Sequence, residues 1–180
     1  MSNFLQDLSP SLVSQALEAN DLAFWIQLFR HFPGTTVHDD PGMLWVETGI
    51  RHDVFNRVLH TNLEPALLHA TLDRVLGSFQ ERRLPFLYHL GPTSRPANLG
   101  AILQEHKLVH LETESGMAVD LLRIKEDIAV APQLVVQPVT TREQLRQCIE
   151  VWEDGSPPDV IDLWCTLYAH ICFIATRKRL

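Results

Sequence analysis

The stretch that decides the fold runs Val54-Phe55-Asn56-Arg57-Val58-Leu59-His60-Thr61-Asn62-Leu63-Glu64-Pro65 and continues as Ala66-Leu67-Leu68-His69-Ala70-Thr71-Leu72. Val54 to His60 is rich in β-branched and apolar residues and predicts a strand, with Phe55 and Val58 breaking strict alternation. Past it the period changes. Pro65 suits the first turn of a helix, where its missing N–H is no loss, and Leu68, Leu72, Val75, Leu76 and Phe79 make one apolar stripe over 65–83. Gly77 inside that helix costs about 1 kcal/mol of propensity, too little to break it. A strand running straight into a long amphipathic helix is the nucleus of an α/β unit.

Working toward the N-terminus, Thr35 to His38 and Met43 to Thr48 are short β-like runs around Asp39-Asp40-Pro41-Gly42. Proline presets φ there and glycine accepts positive φ, so the pattern predicts a hairpin. Residues 9–32 predict two short helices: one opened by Ser9-Pro10 with Leu12, Val13, Ala16 and Leu17, the next from Asn20-Asp21 with Leu22, Trp25, Ile26 and Phe29. Toward the C-terminus, Leu84 to Leu90 predicts a strand, 97–106 a helix, and Val109 to Thr113 and Met117 to Leu122 two strands around Glu114-Ser115-Gly116. After Pro132 come a strand over Leu134 to Val139, a helix over 141–153 with a capping box from Thr140 or Thr141, and an apolar helix over 159–175. That order of elements argues for an α/β or α+β fold built on a mixed sheet.

Composition narrows the function classes. The 180 residues carry a formal charge of −7, which argues against electrostatic binding of nucleic acid or an anionic membrane. The longest apolar runs are five residues, Leu22 to Ile26 and Ile171 to Ala175, too short for a membrane span. Met1 to Asp7 has no basic stretch of the kind that opens a signal peptide, and three cysteines suit reduced thiols, so a cytoplasmic location is expected. Only eight glycines are present, and no two lie closer than Gly42 and Gly49, which removes dinucleotide and P-loop motifs.

Four strings, taken in order, carry a family resemblance. They are Phe55-Asn56-Arg57-Val58-Leu59, Leu84-Pro85-Phe86-Leu87-Tyr88-His89-Leu90-Gly91-Pro92, Leu99-Gly100-x-x-Leu103-x-x-His106, and Gly116-Met117-Ala118-Val119-Asp120-Leu121. Together they resemble the GNAT superfamily of N-acetyltransferases, in particular the N-terminal half of bacterial tandem-GNAT proteins. The run Val135-Val136-x-Pro138-Val139 with the two helices after it resembles the opening of a second GNAT unit. The resemblance implies an α/β fold, with a GNAT-like mixed central sheet and helices on both faces over 1–128, followed by a β-α-α appendage over 133–180 that opens a second unit.

It also implies where acetyl-CoA would sit. Active family members follow the central strand with a Gln/Arg-x-x-Gly-x-Gly/Ala loop whose N–H groups cradle the pyrophosphate. The matching stretch here is His60-Thr61-Asn62-Leu63-Glu64-Pro65, with no glycine, a carboxylate at Glu64 and a proline that has no N–H. Thr61, Asn62 and Leu63 are thus the expected remnant of a cofactor loop. The tyrosine that protonates the departing thiolate in many members is matched by Leu103, and no tyrosine lies between Tyr88 and Tyr168. No catalytic residue is assigned. Under the resemblance Trp45, Asn56 and His89 lie on adjacent central strands and line the acceptor cleft. The expected function is a degenerate acetyltransferase domain acting as scaffold or substrate cleft. The alternative is an active enzyme that uses acetyl-CoA to acetylate an amine of a small molecule or protein.

Other constellations read as structural. Nine histidines include His38-Asp39-Asp40, His52-Asp53 and the spaced pair His106 and His110, but zinc needs three or four converging ligands, and no metal site is expected. Cys165 and Cys172 share one apolar helix face, and with Cys148 they read as core thiols. Glu112 with Glu114, and Glu153 with Asp154, read as solvated carboxylates. In helix 159–175, Ile161, Trp164, Tyr168, Ile171 and Ala175 form one stripe, and Leu163, Leu167 and Ile174 a second. A helix apolar most of the way round predicts burial on several sides or self-association.

Overall fold

A computed structural model describes residues 7–124 and 133–174, with backbone alone for 122 and 170–174. The chain divides into two compact units, Met1–Ala118 and Val119–Leu180. The fold is mixed α/β, built on a four-stranded mixed sheet flanked by helices.

The first unit opens with helix α1, Pro10–Arg30. It is continuous where two helices were expected: after Pro10 in the first turn no proline or glycine interrupts it as far as Arg30. Strands β1 (Thr36–Asp40) and β2 (Met43–Glu47) form the expected hairpin, with Asp40 opposite Met43 across Pro41-Gly42. Gly42 has φ +80°, and a Cβ there would lie 2.5 Å from the Asn62 carbonyl oxygen, so the turn requires glycine twice over. Strand β3 is shorter than expected, Arg57–Thr61, because Asp53–Phe55 turn as a 3₁₀ helix capped by His52.

Helix α2 spans Pro65–Glu81 and buries the stripe read from the sequence, Leu68, Leu72, Val75, Leu76 and Phe79. It crosses back to β4, which pairs parallel to β3 at only two residues, Leu87 and Tyr88. Helix α3 (Leu99–Glu105) follows. The sheet order is β1-β2-β3-β4, antiparallel across the first three strands.

The two sheet faces differ in chemistry. On one, Met43, Trp45 and Val58 pack against α2 and α3 with Leu72, Phe79, Leu99 and Leu103 as a continuous apolar core. That face is pinned at its edge by the buried Glu47 carboxylate, which accepts from Ser78 Oγ and pairs with Arg82. On the other face Arg57 lies against Trp25 of α1. A bulge in β3 shapes this second face: Trp45 pairs with Val58 and Leu44 with His60, leaving Leu59 as the extra residue. The extra residue changes parity, so Arg57 and His60, three apart, both face α1.

Three strands expected from alternation are not formed. Residues 109–113 and 117–120 have no ladder partner, and Leu121–Arg123 is a 3₁₀ turn. Val109 is 80% exposed and Met117 86%. Residues 134–139 are likewise unpaired, with Val136 exposed. Apolar alternation supplies a strand's side-chain pattern but not the neighbouring strand that its N–H and C=O groups need.

In the second unit, helix α4 (Arg142–Trp152) starts with the capping box: Thr141 Oγ1 accepts from Gln144 N, and Gln144 Oε1 accepts from Thr141 N. Helix α5 (Pro158–Ile174) buries Val160, Ile161, Trp164 and Leu167. Trp152, Trp164 and Tyr168 form an aromatic cluster between the two helices. Ala175 and the closing residues 177–179 lie outside the described residues.

Candidate functional site: a polar seam between α1 and the sheet

A helix packed on a sheet ordinarily meets it with apolar residues. Here α1 presents Glu18, Asp21 and Trp25, spaced three and four apart on one helix face, toward Arg57, His60 and His89 of the sheet. Two local arrangements follow along this seam.

At one end sits Arg57, only 6% exposed. Its guanidinium carbon lies 3.7 Å from the centroid of the Trp25 ring. Arg57 Nε donates to the Val54 carbonyl at 2.8 Å, and Nη1 lies 2.6 Å from His89 Nε2. Arginine has only donors, so His89 Nε2 is the acceptor and its proton sits on Nδ1. Burial draws the Arg57 pKa down to about 10, with the charges of Asp21, Glu114 and Asp53 opposing the shift. Burial first, and then the Arg57 charge, push His89 down to about 4, so it is neutral at pH 7. Burial raises the Asp21 pKa, opposed by its hydrogen bond with Trp25 and by Arg57.

At the other end, Glu18 from α1 fills the gap between β3 and the chain leaving β4. Its Oε2 accepts from Thr93 N at 2.9 Å, and its Oε1 lies 3.6 Å from His60 Nδ1. Gly91 leaves room for this carboxylate, since a Cβ there would displace the end of the Glu18 side chain. Ser94 closes the turn, accepting from Gly91 N through Oγ.

The residues expected at a cleft are distributed differently. Trp45 faces the α2 core, where its ring is stacked 3.6 Å from His38 and its Nε1 donates to Asp40. Asn56 is fully buried and ties three segments together: Nδ2 reaches the carbonyls of Ile50, His52 and Pro85, and Oδ1 accepts from Thr48 N. His89 alone lies in the seam. The three therefore do not line one surface.

The loop matching the cofactor cradle is closed upon the fold. Asn62 N donates to the Gly42 carbonyl at 2.7 Å, and Leu63 N to the Arg95 carbonyl at 3.4 Å. Thr61 is buried, its hydroxyl 2.5 Å from Tyr88 Oη, and Pro65 has no N–H to offer. Glu64 stands at the N-cap of α2.

Sequence reading alone placed Trp25 on an apolar stripe and passed over Arg57, Glu18, Asp21 and His60. The signal available was a charge inside an apolar strand: Arg57 and His60 flank Val58-Leu59. Without the bulge they would fall on opposite faces, and the sequence does not announce the bulge.

Outside the seam, α4 and α5 enclose a groove of about 270 Å³ lined by Leu145, Cys148, Ile149, Trp152 and Tyr168. Cys148, expected in the core, is instead exposed at this groove, because it falls outside the buried Leu145 and Ile149 face of α4, and burial raises the pKa of the half-buried Cys165. Glu112 and Glu114 are exposed on unpaired backbone. Among the described residues no group of three or more His, Cys, Asp or Glu could hold a metal ion, and no helix is long and apolar enough to cross a membrane. No family model, curated protein or solved structure matches the chain.

Proposed function

We propose that the chain is a catalytically degenerate GNAT-like domain that acts as a scaffold or substrate-cleft domain rather than as an acetyltransferase. The observation that carries this reading is the closed loop at 61–65. A pyrophosphate cradle needs free N–H donors and positive potential at a helix N-terminus. Here the Asn62 and Leu63 donors are spent inside the protein, and Glu64 and Pro65 supply a negative charge and a missing donor. The GNAT half of the reading is supported by the four sequence strings and by a central strand, β3, that feeds a long helix and a parallel neighbour.

Thermal unfolding with and without millimolar acetyl-CoA, backed by calorimetric titration, tests it. A ligand at about 100 times its Kd stabilises by roughly 2.7 kcal/mol, about 4 °C or more for a chain of this size. The expected result is no shift and a flat titration. A shift of that order would overturn degeneracy and establish an atypical cofactor site, and amine acceptors would then be screened.

A further inference from the structure

Helix α1 is held to the sheet in two different ways along its length. At its C-terminal end Leu28 and Phe29 are fully buried, and no residue from Pro10 to Gln27 is. Over that longer stretch the contacts are half-buried apolar residues, among them Val13, Leu17 and Ile26, together with the polar seam. Glu18 accepts from Thr93 N there, and the Trp25 ring lies against Arg57. Apolar contact is indifferent to protons, but the seam is not. The Arg57–His89 hydrogen bond exists only while His89 is neutral. Nε2 then accepts from Arg57 Nη1 at 2.6 Å, whereas a protonated imidazole has donors on both nitrogens and sets a second positive charge against the guanidinium. The docked helix keeps water from this contact, with Arg57 only 6% exposed against Trp25. Lifting the helix rehydrates both cations.

We infer that α1 is an acid-released latch: protonation of His89 lifts the stretch from Pro10 to Gln27 off the sheet, while Leu28 and Phe29 remain as its anchor. Two charges act on His89 itself, Arg57 of β3 and Glu114 of the chain after α3. Burial, and then Arg57, oppose its protonation more strongly than Glu114 favours it. Asp21 of α1 and Asp53 act on Arg57. Asp21 works against release, because burial raises its pKa and its proton therefore favours the docked helix. With His89 at about 4 under the docked helix and 6.5 once freed, the opening equilibrium rises about thirtyfold between pH 7.5 and pH 5. The latch is independent of the acetyl-CoA reading, since it uses none of residues 61–65.

The test is hydrogen exchange on the full 180-residue chain at those two pH values, each amide corrected for its intrinsic rate. The reporters are the Thr93 N–H, which donates to Glu18, and the α1 amides from Ser14 to Gln27, since a freed helix of this length holds little structure in water. Protection at both is expected to fall about thirtyfold at pH 5, while the Leu72, Val75 and Phe79 amides of α2 keep theirs. His89→Gln retains an acceptor for Arg57 but takes up no proton, and should abolish the response. Asp21→Asn removes the opposing group and should preserve or steepen it. Unchanged α1 protection at pH 5, a loss shared equally by α2, a response that persists in His89→Gln, or one that disappears in Asp21→Asn would each overturn the assignment. Should the His89 variant not fold, the comparison of α1 with α2 in the unsubstituted chain still decides between release of the helix and unfolding of the unit.

Discussion

Asn56 offers the sharpest test of how the first unit is held together. Its side chain is wholly buried. Its Nδ2 lies 2.7 Å from the Ile50 carbonyl and 3.0 Å from those of His52 and Pro85, and its Oδ1 is 3.1 Å from Thr48 N. Two amide protons shared among three carbonyls, plus one accepted bond, amount to about three hydrogen bonds. Asn56→Ala removes them all and leaves the Thr48 N–H and the carbonyls it served without partners in a site too tight to hydrate. At about 1–1.5 kcal/mol for each bond lost, and more where a buried donor is orphaned, the loss is about 3–5 kcal/mol. For a unit of this size that is a fall of roughly 10–20 °C in Tm. The effect should be local: the Asn56 amide joins the 48–52 loop to the segment entering β4, so Leu87 and His89 amides, which donate to the Asn56 and Val58 carbonyls, should lose hydrogen-exchange protection first. The assay is thermal unfolding read by Trp45 fluorescence together with exchange on those two amides. A cost below about 1 kcal/mol, or protection lost evenly across the unit, would refute the reasoning and return Asn56 to the cleft residue first expected.

Three further outcomes follow from single sites. Gly42→Ala places a Cβ 2.5 Å from the Asn62 carbonyl at φ +80°, and should cost about 2–3 kcal/mol, checked by denaturant midpoint; a cost near zero would mean the hairpin turn relaxes freely. His89 is held near pKa 4 against 6.5 when unperturbed, so the unfolded chain binds the extra proton between those values; stability is full above pH about 6.5 and falls toward pH 4, and His89→Gln should show a shallower fall in Tm over that window. Thr141→Ala removes the α4 capping box and should cost the second unit about 1 kcal/mol, seen as faster hydrogen exchange in the first turn of α4 with the first unit unchanged.

How much was legible beforehand depended on the range of the interaction. The α2 stripe, the Pro41-Gly42 turn and a capping box at Thr140 or Thr141, which the structure places at Thr141, are legible because each is settled by residues within a few positions of one another. The expected strands at 109–113, 117–122 and 134–139 failed because alternation is local, whereas pairing needs a second strand brought in by the rest of the fold. The expected break in α1 failed because Asn20-Asp21 reads as a cap only if the chain turns there, and no proline or glycine between Pro10 and Arg30 makes it turn.

By itself, then, the sequence determined the α/β class, the helix faces, the hairpin, and a loop at 61–65 without glycine. Tertiary structure decided where the polar chemistry gathers. One extra residue at Leu59 turns Arg57 and His60 to the same face, and α1 brings Glu18, Asp21 and Trp25 to meet them from some 30 to 40 positions away. A bulge and a helix docking are set by the packing of whole elements, and no window of neighbouring residues encodes either one.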